Sequence, residues 1–186
     1  MDRVSQPDAP TMPPITVRAA RPDDLPAITA IFNDVIATST AVYYVQPTTL
    51  AERTEWYRGR VDRGHPVLVA EHGGEVVGFS SFAEFRGVWP GYRHSVEHSV
   101  HVRADQRGRG IGSQLVSALF PLAGAARKHV IVGGIDAAND ASLRMHERLG
   151  FERVAHFREV GHKFGRWLDL VFVQRFVDAP GALRAD

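Results

Sequence analysis

The stretch QRGRGIG is the part of this sequence whose residue types point most clearly to ligand chemistry. Glycines at positions 108, 110 and 112 leave backbone N–H groups unshielded, and an apolar helix pattern, SQLVSALF, begins directly after them. The free N–H groups and the positive dipole end of that helix would face the same space as the glycines. Arg107 and Arg109 add positive charge beside them. This combination predicts a site for phosphate or pyrophosphate; a flexible turn with solvated arginines is the alternative.

Two common nucleotide loops do not fit the register of this stretch. A Walker A loop would place Lys and then Ser or Thr after its last glycine, whereas Gly112 is followed by Ser113 and Gln114. A dinucleotide loop would need a glycine at position 113 and would normally follow the first strand, whereas about half of this chain comes first. The pattern that remains has the form Q/R-x-x-G-x-G/A.

The segment VEHSVHV predicts a strand that leads into the glycine stretch and carries ionisable groups. On a strand Glu97 and His101 would share one face, while His98 would share the other face with the valines. An acid between apolar neighbours loses part of its hydration, which raises its pKa toward the range of a useful general base. The alternative is that Glu97 forms an ion pair with Arg93 or Arg103 at a sheet edge.

Nine histidines raise the question of a metal site, since His94, His98 and His101 lie close together. Strand geometry would point His98 and His101 to opposite faces, and no carboxylate completes a familiar ligand spacing. We therefore expect no metal site. The chain contains no cysteine, which excludes disulfides, thiolate zinc sites and an acyl-cysteine intermediate.

The composition sets limits on the class of protein. A length of 186 residues fits one domain, and a net charge of +1 lacks the basic bias of chains dominated by nucleic-acid contacts. No apolar stretch is long enough to cross a bilayer, and the start, MDRVSQPDAPTMPP, lacks the apolar core of a signal peptide. We expect a single domain at 15–177, flexible tails at 1–14 and 178–186, a cytoplasmic location, and no nucleic-acid or membrane partner.

Periodicity and turn residues predict the elements that would position these groups. A short strand and two amphipathic helices come first, followed by a hairpin with a Gly-Gly turn and the Glu97 strand. The helix after the glycines should kink or end near Phe120, because Pro121 cannot donate a backbone hydrogen bond. A buried-type strand, a short helix closed by Gly150 and two strands complete the chain. This order favours an α+β (mixed α/β) fold over a parallel doubly wound sheet.

Several of these blocks together resemble the GNAT superfamily of N-acetyltransferases. QRGRGIG is similar to the pyrophosphate-binding signature of that superfamily, and an Asn…LGF helix follows downstream. The segments TSTAVY, VEHSVHV, DAANDASLRMHERLGF and GHKFGRWLDLVFVQ resemble the branch that acetylates phosphinothricin and methionine sulfoximine, so that the resemblance covers about residues 15–176. It implies a mixed, mostly antiparallel sheet splayed into a V and flanked by helices, acetyl-CoA in the split, and a homodimer.

The resemblance also assigns residues to acetyl-CoA. Val100, His101 and Val102 would bind the pantetheine arm through their backbone, with one N–H facing the thioester oxygen. Asn139 and Ser142 match positions that contact the cofactor at the start of the next helix, although helix capping alone also explains Asn139. The pyrophosphate would be held by Arg107, Gly108, Arg109, Gly110, Ile111 and Gly112.

The implied reaction moves an acetyl group from sulfur to an amine, which arrives protonated and needs a base before it can attack. Glu97 matches the glutamate assigned as that base in this branch. Transfer would be direct, because no cysteine can hold the acetyl group. Many superfamily members protonate the departing thiolate with a tyrosine just after the motif helix, where this chain has Phe151. His146 is a candidate substitute, unless it only packs within its helix or the thiolate leaves unprotonated.

Aromatic residues and arginines near the Glu97 strand suggest where the amine binds. A guanidinium fork can hold a carboxylate while aromatic walls hold an apolar or sulfur-bearing side chain, which would suit an amino acid. For any single residue, core packing or a solvated surface arginine is an equally good explanation. The branch usually has a glutamate in the loop where this chain has Trp89 and Pro90, so acceptor choice could differ. The predicted acceptor residues are Thr40, Tyr43, Phe85, Arg86 and Arg93.

Three functions remain open at this level. The favoured one is an acetyl-CoA-dependent N-acetyltransferase that acts on the amino group of a small amino acid or analogue, such as phosphinothricin or methionine sulfoximine. A protein N-terminal or lysine acetyltransferase would need an open, often acidic groove, and the aromatic-rich loop argues against one. A non-catalytic acyl-CoA-binding module would have no use for a carboxylate beside the thioester, so Glu97 separates it from an enzyme.

Overall fold

The computed structural model describes residues 13–87 and 89–177. The predicted tails, 1–14 and 178–186, lie outside this range except for residues 13 and 14. No helix in the described part of the chain is long and apolar enough to cross a membrane. The strands are β1 (Thr16–Ala19), β2 (Val67–His72), β3 (Glu75–Glu84), β4 (Ser95–Val102), β5 (Val130–Asp136), β6 (Glu152–Lys163) and β7 (Arg166–Phe176). The α-helices are α1 (Leu25–Thr38), α2 (Leu50–Val61), α3 (Ile111–Ala125) and α4 (Asp140–Arg148).

All of these strands belong to one seven-stranded sheet in the order β1-β2-β3-β4-β5-β7-β6. Neighbouring strands run antiparallel except for β4 and β5, which run parallel. Short turns join the antiparallel pairs β2–β3 and β6–β7, whereas β4 reaches β5 only through the α3 crossover. The predicted α+β class with a mixed, mostly antiparallel sheet is confirmed.

The parallel contact between β4 and β5 is short and splits the sheet. Only three residue pairs join the two strands, the last of them Glu97 with Val132. β4 then continues to Val102 and β5 to Asp136 without further pairing between them. The sheet therefore opens beyond Glu97 into two halves, in agreement with the predicted V shape. The β4 edge that faces the split keeps backbone N–H and C=O groups that no strand of the described chain satisfies.

Helices cover both faces of the sheet. On one face α3 buries Leu115, Val116 and Leu119 in what we call the α3 core, and on the other face α1 buries Ile28 and Phe32 in the α1 core. Each such side chain contributes about 1.5–3 kcal/mol by leaving water. These two cores fix which face of β4 each side chain must take.

The alternation of β4 side chains agrees with the sequence pattern. Val96 lies in the α3 core, and the ring of His98 packs on Phe151 of the same core. His101 packs instead on Phe32 and Phe79 in the α1 core. The prediction that His98 and His101 point to opposite faces is therefore confirmed.

Helix α3 does not end near Phe120 as the sequence suggested, but continues through Pro121 to Ala125. Leu119 and Ala123, on either side of the proline, are both fully buried in the α3 core. Their packing outweighs the cost of a proline in a helix interior, which is about 3 kcal/mol.

Candidate active site

The glycine stretch forms the turn into α3 and leaves open space in front of its backbone. Gly108 and Gly110 have φ angles of 78° and 77°, which residues with a side chain rarely adopt. A Cβ at either position would meet nothing within 4 Å. Gly110 is the N-cap of α3 and offers no side-chain hydrogen bond, so the first N–H groups of the helix remain available. Gly112 has a different role, because a Cβ there would lie 3.0 Å from the sulfur of Met145. It allows α3 to pack closely against α4.

The larger of two adjoining cavities lies in front of this turn and has a volume of about 470 Å³. Its walls come from the free end of β4, the glycine turn, the start of α4 and the loop after α1. We call it the glycine-loop cavity. Of the residues that the sequence assigned to acetyl-CoA, Arg109 alone is not among its lining residues; the others are Val100, His101, Val102, Arg107, Gly108, Gly110, Ile111, Gly112, Asn139 and Ser142.

The second cavity is smaller, about 200 Å³, and Glu97 lies in its wall. We call it the Glu97 cavity. Val100, His101, Asn139 and Ser142 line both cavities, so the two spaces meet at β4 and the start of α4. Asn139 also caps α4, because its Oδ1 accepts the Ser142 N–H at 3.1 Å. Its capping role and its place in the cavity wall are therefore compatible.

Glu97 is the last residue of β4 that pairs with β5, and it is an exposed residue in the wall of the Glu97 cavity. The surrounding protein still displaces enough water to raise the pKa of its carboxyl group, and this effect exceeds the opposing one of the Arg60 charge. Within the described chain, no salt bridge joins Glu97 to Arg103. Arg103 binds Glu75 at 2.8 Å and Asp105 at 2.7 Å instead. The alternative of a sheet-edge ion pair with Arg103 is therefore wrong.

His146 and His98 form a buried pair, and both histidines line the Glu97 cavity. The Nδ1 of His146 is 2.8 Å from the carbonyl oxygen of Ser142, and because a carbonyl can only accept, Nδ1 carries the ring proton. Its Nε2, 3.2 Å from the Nε2 of His98, must then accept from His98. Burial lowers the pKa of His146 and lowers that of His98 to about 3, so both rings are neutral.

The loop between α1 and α2 crosses the split and is fastened to the opposite half of the sheet. Thr40 donates a hydrogen bond to the Asp136 carboxylate at the end of β5. The Tyr43 hydroxyl donates to the carbonyl oxygen of Asp169 in β7 at 3.0 Å. The buried ammonium of Lys163 in β6 donates to the carbonyl oxygens of Ser39 and Val42. The parts of the loop that line the cavities are Ser39, Ala41 and Val42.

The five residues predicted to bind the acceptor therefore do not form one group. Thr40 and Tyr43 fasten the loop and are not among the lining residues of either cavity. Phe85 lies 5.7 Å from the ring of Tyr92, which in turn lies under the guanidinium of Arg86. Arg93 is exposed after a short 3-10 helix, Pro90–Tyr92.

Comparison with known proteins shows which family this chain belongs to. The model of the family described as "Acetyltransferase (GNAT) family" matches residues 28–151, which is more than half of the chain.

The chain belongs to the GNAT acetyltransferase family.

Individual GNAT relatives extend this result across most of the sequence. The L-methionine sulfoximine/L-methionine sulfone acetyltransferase of Pseudomonas paraeruginosa is 46% identical over 164 residues, which cover 88% of this chain and 95% of the relative. The phosphinothricin N-acetyltransferase of Alcaligenes faecalis is 37% identical, covering 88% and 83%. The acetyltransferase structure yncA from Salmonella typhimurium, with its cofactor acetyl-CoA, superposes with a TM-score of 0.89 at 41% identity, covering 92% and 99%. The predicted branch is confirmed, and the chain is an N-acetyltransferase.

Sequence reasoning missed several residues that shape this acetyltransferase site. Gly133 and Gly134 lie side by side in β5, where a Cβ would come 2.8 Å from the Nε2 of His98 or 3.4 Å from the Oε1 of Glu97. Two glycines inside a buried-strand pattern were the available signal, since glycine in a strand often marks a close approach. Asp136 and Lys163 gave no comparable signal, because their partners are distant in sequence. Among the described residues, no group of three His, Asp or Glu side chains could hold a metal ion.

Proposed function

We propose that this chain transfers an acetyl group from acetyl-CoA directly to the α-amino group of a small amino acid or analogue, of the kind that phosphinothricin and methionine sulfoximine represent. The observation that carries the proposal is the position of Glu97. Its carboxyl group, with a raised pKa, lies where the sheet splits and lines the cavity that adjoins the glycine-loop cavity. An acetyl donor in one space and an amine in the other would meet at that carboxyl group.

The residues present fit acetyl-CoA, which supplies an acetyl group activated as a thioester. The turn at Gly108 and Gly110 and the uncapped start of α3 provide N–H donors and a positive dipole end for a pyrophosphate. The unpaired edge of β4 from His98 to Val102 provides donors and acceptors for an extended amide-containing arm. Asn139 and Ser142 complete the wall on the α4 side. Arg148 also lines this cavity and adds a positive charge to its wall.

Glu97 acts as the general base in this proposal. It takes a proton from the bound ammonium group, so that the nitrogen gains the lone pair needed for attack. The raised pKa makes the carboxylate a stronger base than an ordinary glutamate, and the cavity provides the path by which the proton later reaches water. The absence of cysteine from the sequence excludes an acetyl-cysteine intermediate.

His146 is not suited to donate a proton to the departing thiolate, and we propose a positioning role for it. Its single ring proton is directed to the Ser142 carbonyl, and its other nitrogen accepts from His98. Phe151, at the position of the superfamily tyrosine, is buried against both histidines and has no proton to give. The thiolate therefore leaves without a proton from His146 or Phe151.

The experiment that tests this function is a thiol-release assay with acetyl-CoA. The acceptors are the amino acids, methionine sulfoximine, phosphinothricin, and two peptides that present a free N-terminus or a lysine. We expect turnover with one or more free amino acids or analogues and none above background with the peptides. Turnover restricted to the peptides would favour the protein acetyltransferase, and acetyl-CoA binding without any turnover would contradict an enzyme.

We further propose that residues 15–177 form a single acetyltransferase domain that pairs as a homodimer in the cytoplasm. Support for pairing comes from β6, an edge strand of the sheet, where Val154, Phe157 and Val160 are all exposed. A sequence without cysteine agrees with a reducing compartment. Light scattering coupled to gel filtration tests the dimer, and a mass of one 20.5 kDa chain would contradict it.

A further inference from the structure

Gly134 lies on β5, a central strand of the sheet, and is nevertheless exposed to solvent. It lies in β5 between buried neighbours on the strand, Gly133 and Ile135, and it lines the Glu97 cavity. Its φ angle is not in the left-handed region, so the backbone at this position would accept a side chain. Glycine in a strand costs about 0.5–1 kcal/mol relative to alanine through lost chain entropy. Backbone conformation therefore does not explain why glycine stands here.

Packing of the protein does not explain it either. A Cβ at position 134 would lie 3.4 Å from the Oε1 of Glu97, 3.5 Å from the Cδ1 of Leu170 and 3.7 Å from the Cε1 of Phe172. These are ordinary contacts rather than overlaps, so an alanine would fit without moving its neighbours. What the glycine preserves is a methyl-sized space that opens into the Glu97 cavity.

The surroundings of this space suit an amino acid that presents its amino group to Glu97. On one side is the carboxyl group; on the other side are Leu170 and Phe172, of which Phe172 pairs directly with Gly134 between β5 and β7. The ring of Phe172 continues the apolar surface toward Phe85, with ring centres 6.3 Å apart, and Phe157, at 5.8 Å. An amine bound to Glu97 would extend its side chain along this surface.

We infer that Gly134 determines the size of the acceptor side chain. Resting on the proposed function, this inference places the part of the acceptor side chain beyond its Cβ in the space that Gly134 leaves, against Leu170 and Phe172. The favoured acceptors are then L-amino acids with long, unbranched apolar or sulfur-containing side chains, and short ones such as alanine leave this surface unfilled.

The test is the variant Gly134→Ala with a graded series of acceptors: alanine, 2-aminobutyrate, norvaline, norleucine and methionine sulfone. One methyl group in a pocket changes selectivity by about 10-fold or more, so kcat/KM for the two longest acceptors should fall about 10-fold relative to alanine. Gly59→Ala is the matched control, since a Cβ there would meet only the Nη1 of Arg63 at 3.5 Å, on α2. It should leave the whole series unchanged.

Each other outcome overturns the inference in a distinguishable way. An equal loss for every acceptor would mean that the methyl group acts on Glu97 rather than on the acceptor. An unchanged ratio in a variant that melts like the wild type would remove Gly134 from acceptor selection. If the wild-type enzyme releases no thiol with this series but does so with phosphinothricin or another amino acid, this inference fails and the proposed function stands; no thiol release with any amino acid or analogue overturns both. Leu170→Val gives a second test in the opposite direction, because it widens the same space and should raise kcat/KM for the longest acceptor relative to alanine.

Discussion

The ammonium group of Lys163 lies 2.7 Å from the carbonyl oxygen of Ser39, although the two residues are 124 positions apart in the sequence. The same group also donates to the Val42 carbonyl at 2.9 Å. Lys163 is 3% exposed, and burial lowers its pKa. One buried cation therefore holds the loop that forms part of both cavity walls.

Replacing this cation should loosen the loop and weaken substrate binding. Lys163→Met keeps an apolar chain of similar length but leaves both loop carbonyls without their donor. We expect KM for acetyl-CoA and for the acceptor to rise about 10-fold, which is the effect of losing about 1.4 kcal/mol of binding, with a smaller change in kcat. The matched control is Lys128→Met, which removes a lysine hydrogen bond to the Arg93 carbonyl oxygen outside both cavities and should leave both KM values unchanged. Steady-state KM values equal to those of the wild type in Lys163→Met would refute this role.

Removal of the base should affect turnover and leave donor binding intact. Glu97→Gln keeps the shape of the side chain but cannot take a proton at the amine, and we expect kcat to fall at least about 100-fold. Acetyl-CoA affinity measured by calorimetry should not change. In the wild type, kcat/KM should decline as the pH falls through the raised pKa of Glu97, and this limb should be absent in the variant. Unchanged turnover would remove Glu97 from the mechanism.

The same substitution should stabilise the fold above the pKa of Glu97. Because burial raises that pKa, the ionised carboxylate costs the folded state free energy at neutral pH. This cost disappears below the usual pKa of a glutamate, where the group is protonated in both the folded and unfolded states. We therefore expect a higher melting temperature for Glu97→Gln at pH 7.5 and an equal one at pH 4. A lower melting temperature at pH 7.5 would contradict the assigned burial.

Gly110 allows a test of the glycine turn that separates strain from ligand contact. Gly110→Val should weaken acetyl-CoA binding by about 10-fold or more, because a side chain would stand in front of the N–H donors. Gly165, in the turn between β6 and β7, has a similar φ of 74° and equally open space, so Gly165→Val carries the same strain away from the cavity. Titration calorimetry should show weak binding for the first variant and normal binding for the second. Equal acetyl-CoA affinities in the two variants would contradict binding of the pyrophosphate at the glycine turn.

The buried histidines should make the protein sensitive to acid. Burial lowers the pKa of His98 from 6.5 to about 3 and that of His101 to about 4. Below pH 6.5 the unfolded chain takes up protons that these folded residues refuse, so stability is lost as the pH falls from 6.5 to about 4. The free energy of unfolding should change with pH by up to about 1.4 kcal/mol per pH unit for each such histidine. When this free energy is measured by urea unfolding at several pH values, it should depend less on pH between 6.5 and about 4 in His101→Phe than in the wild type.

Features set by local chemistry could be predicted from the sequence, and features set by distant contacts could not. The turn at Gly108 and Gly110 follows from the chain itself, and so does the alternation that separates His98 from His101. Thr40 and Tyr43 were predicted to bind the acceptor, whereas the structure joins them to Asp136 and Asp169, in strands about a hundred residues later. No local pattern reports which half of the sheet a loop will reach, and Lys163 was missed for that reason.

The pairing of Glu97 with Val132 is the last residue pair that joins β4 to β5, so the gap between these strands widens from Glu97 toward Val102 and Asp136. A wedge-shaped gap sorts a long ligand by its width. A bulky nucleotide would fit only at the wide end beside the glycine turn, and only a slender acyl group would reach the narrow end beside Glu97.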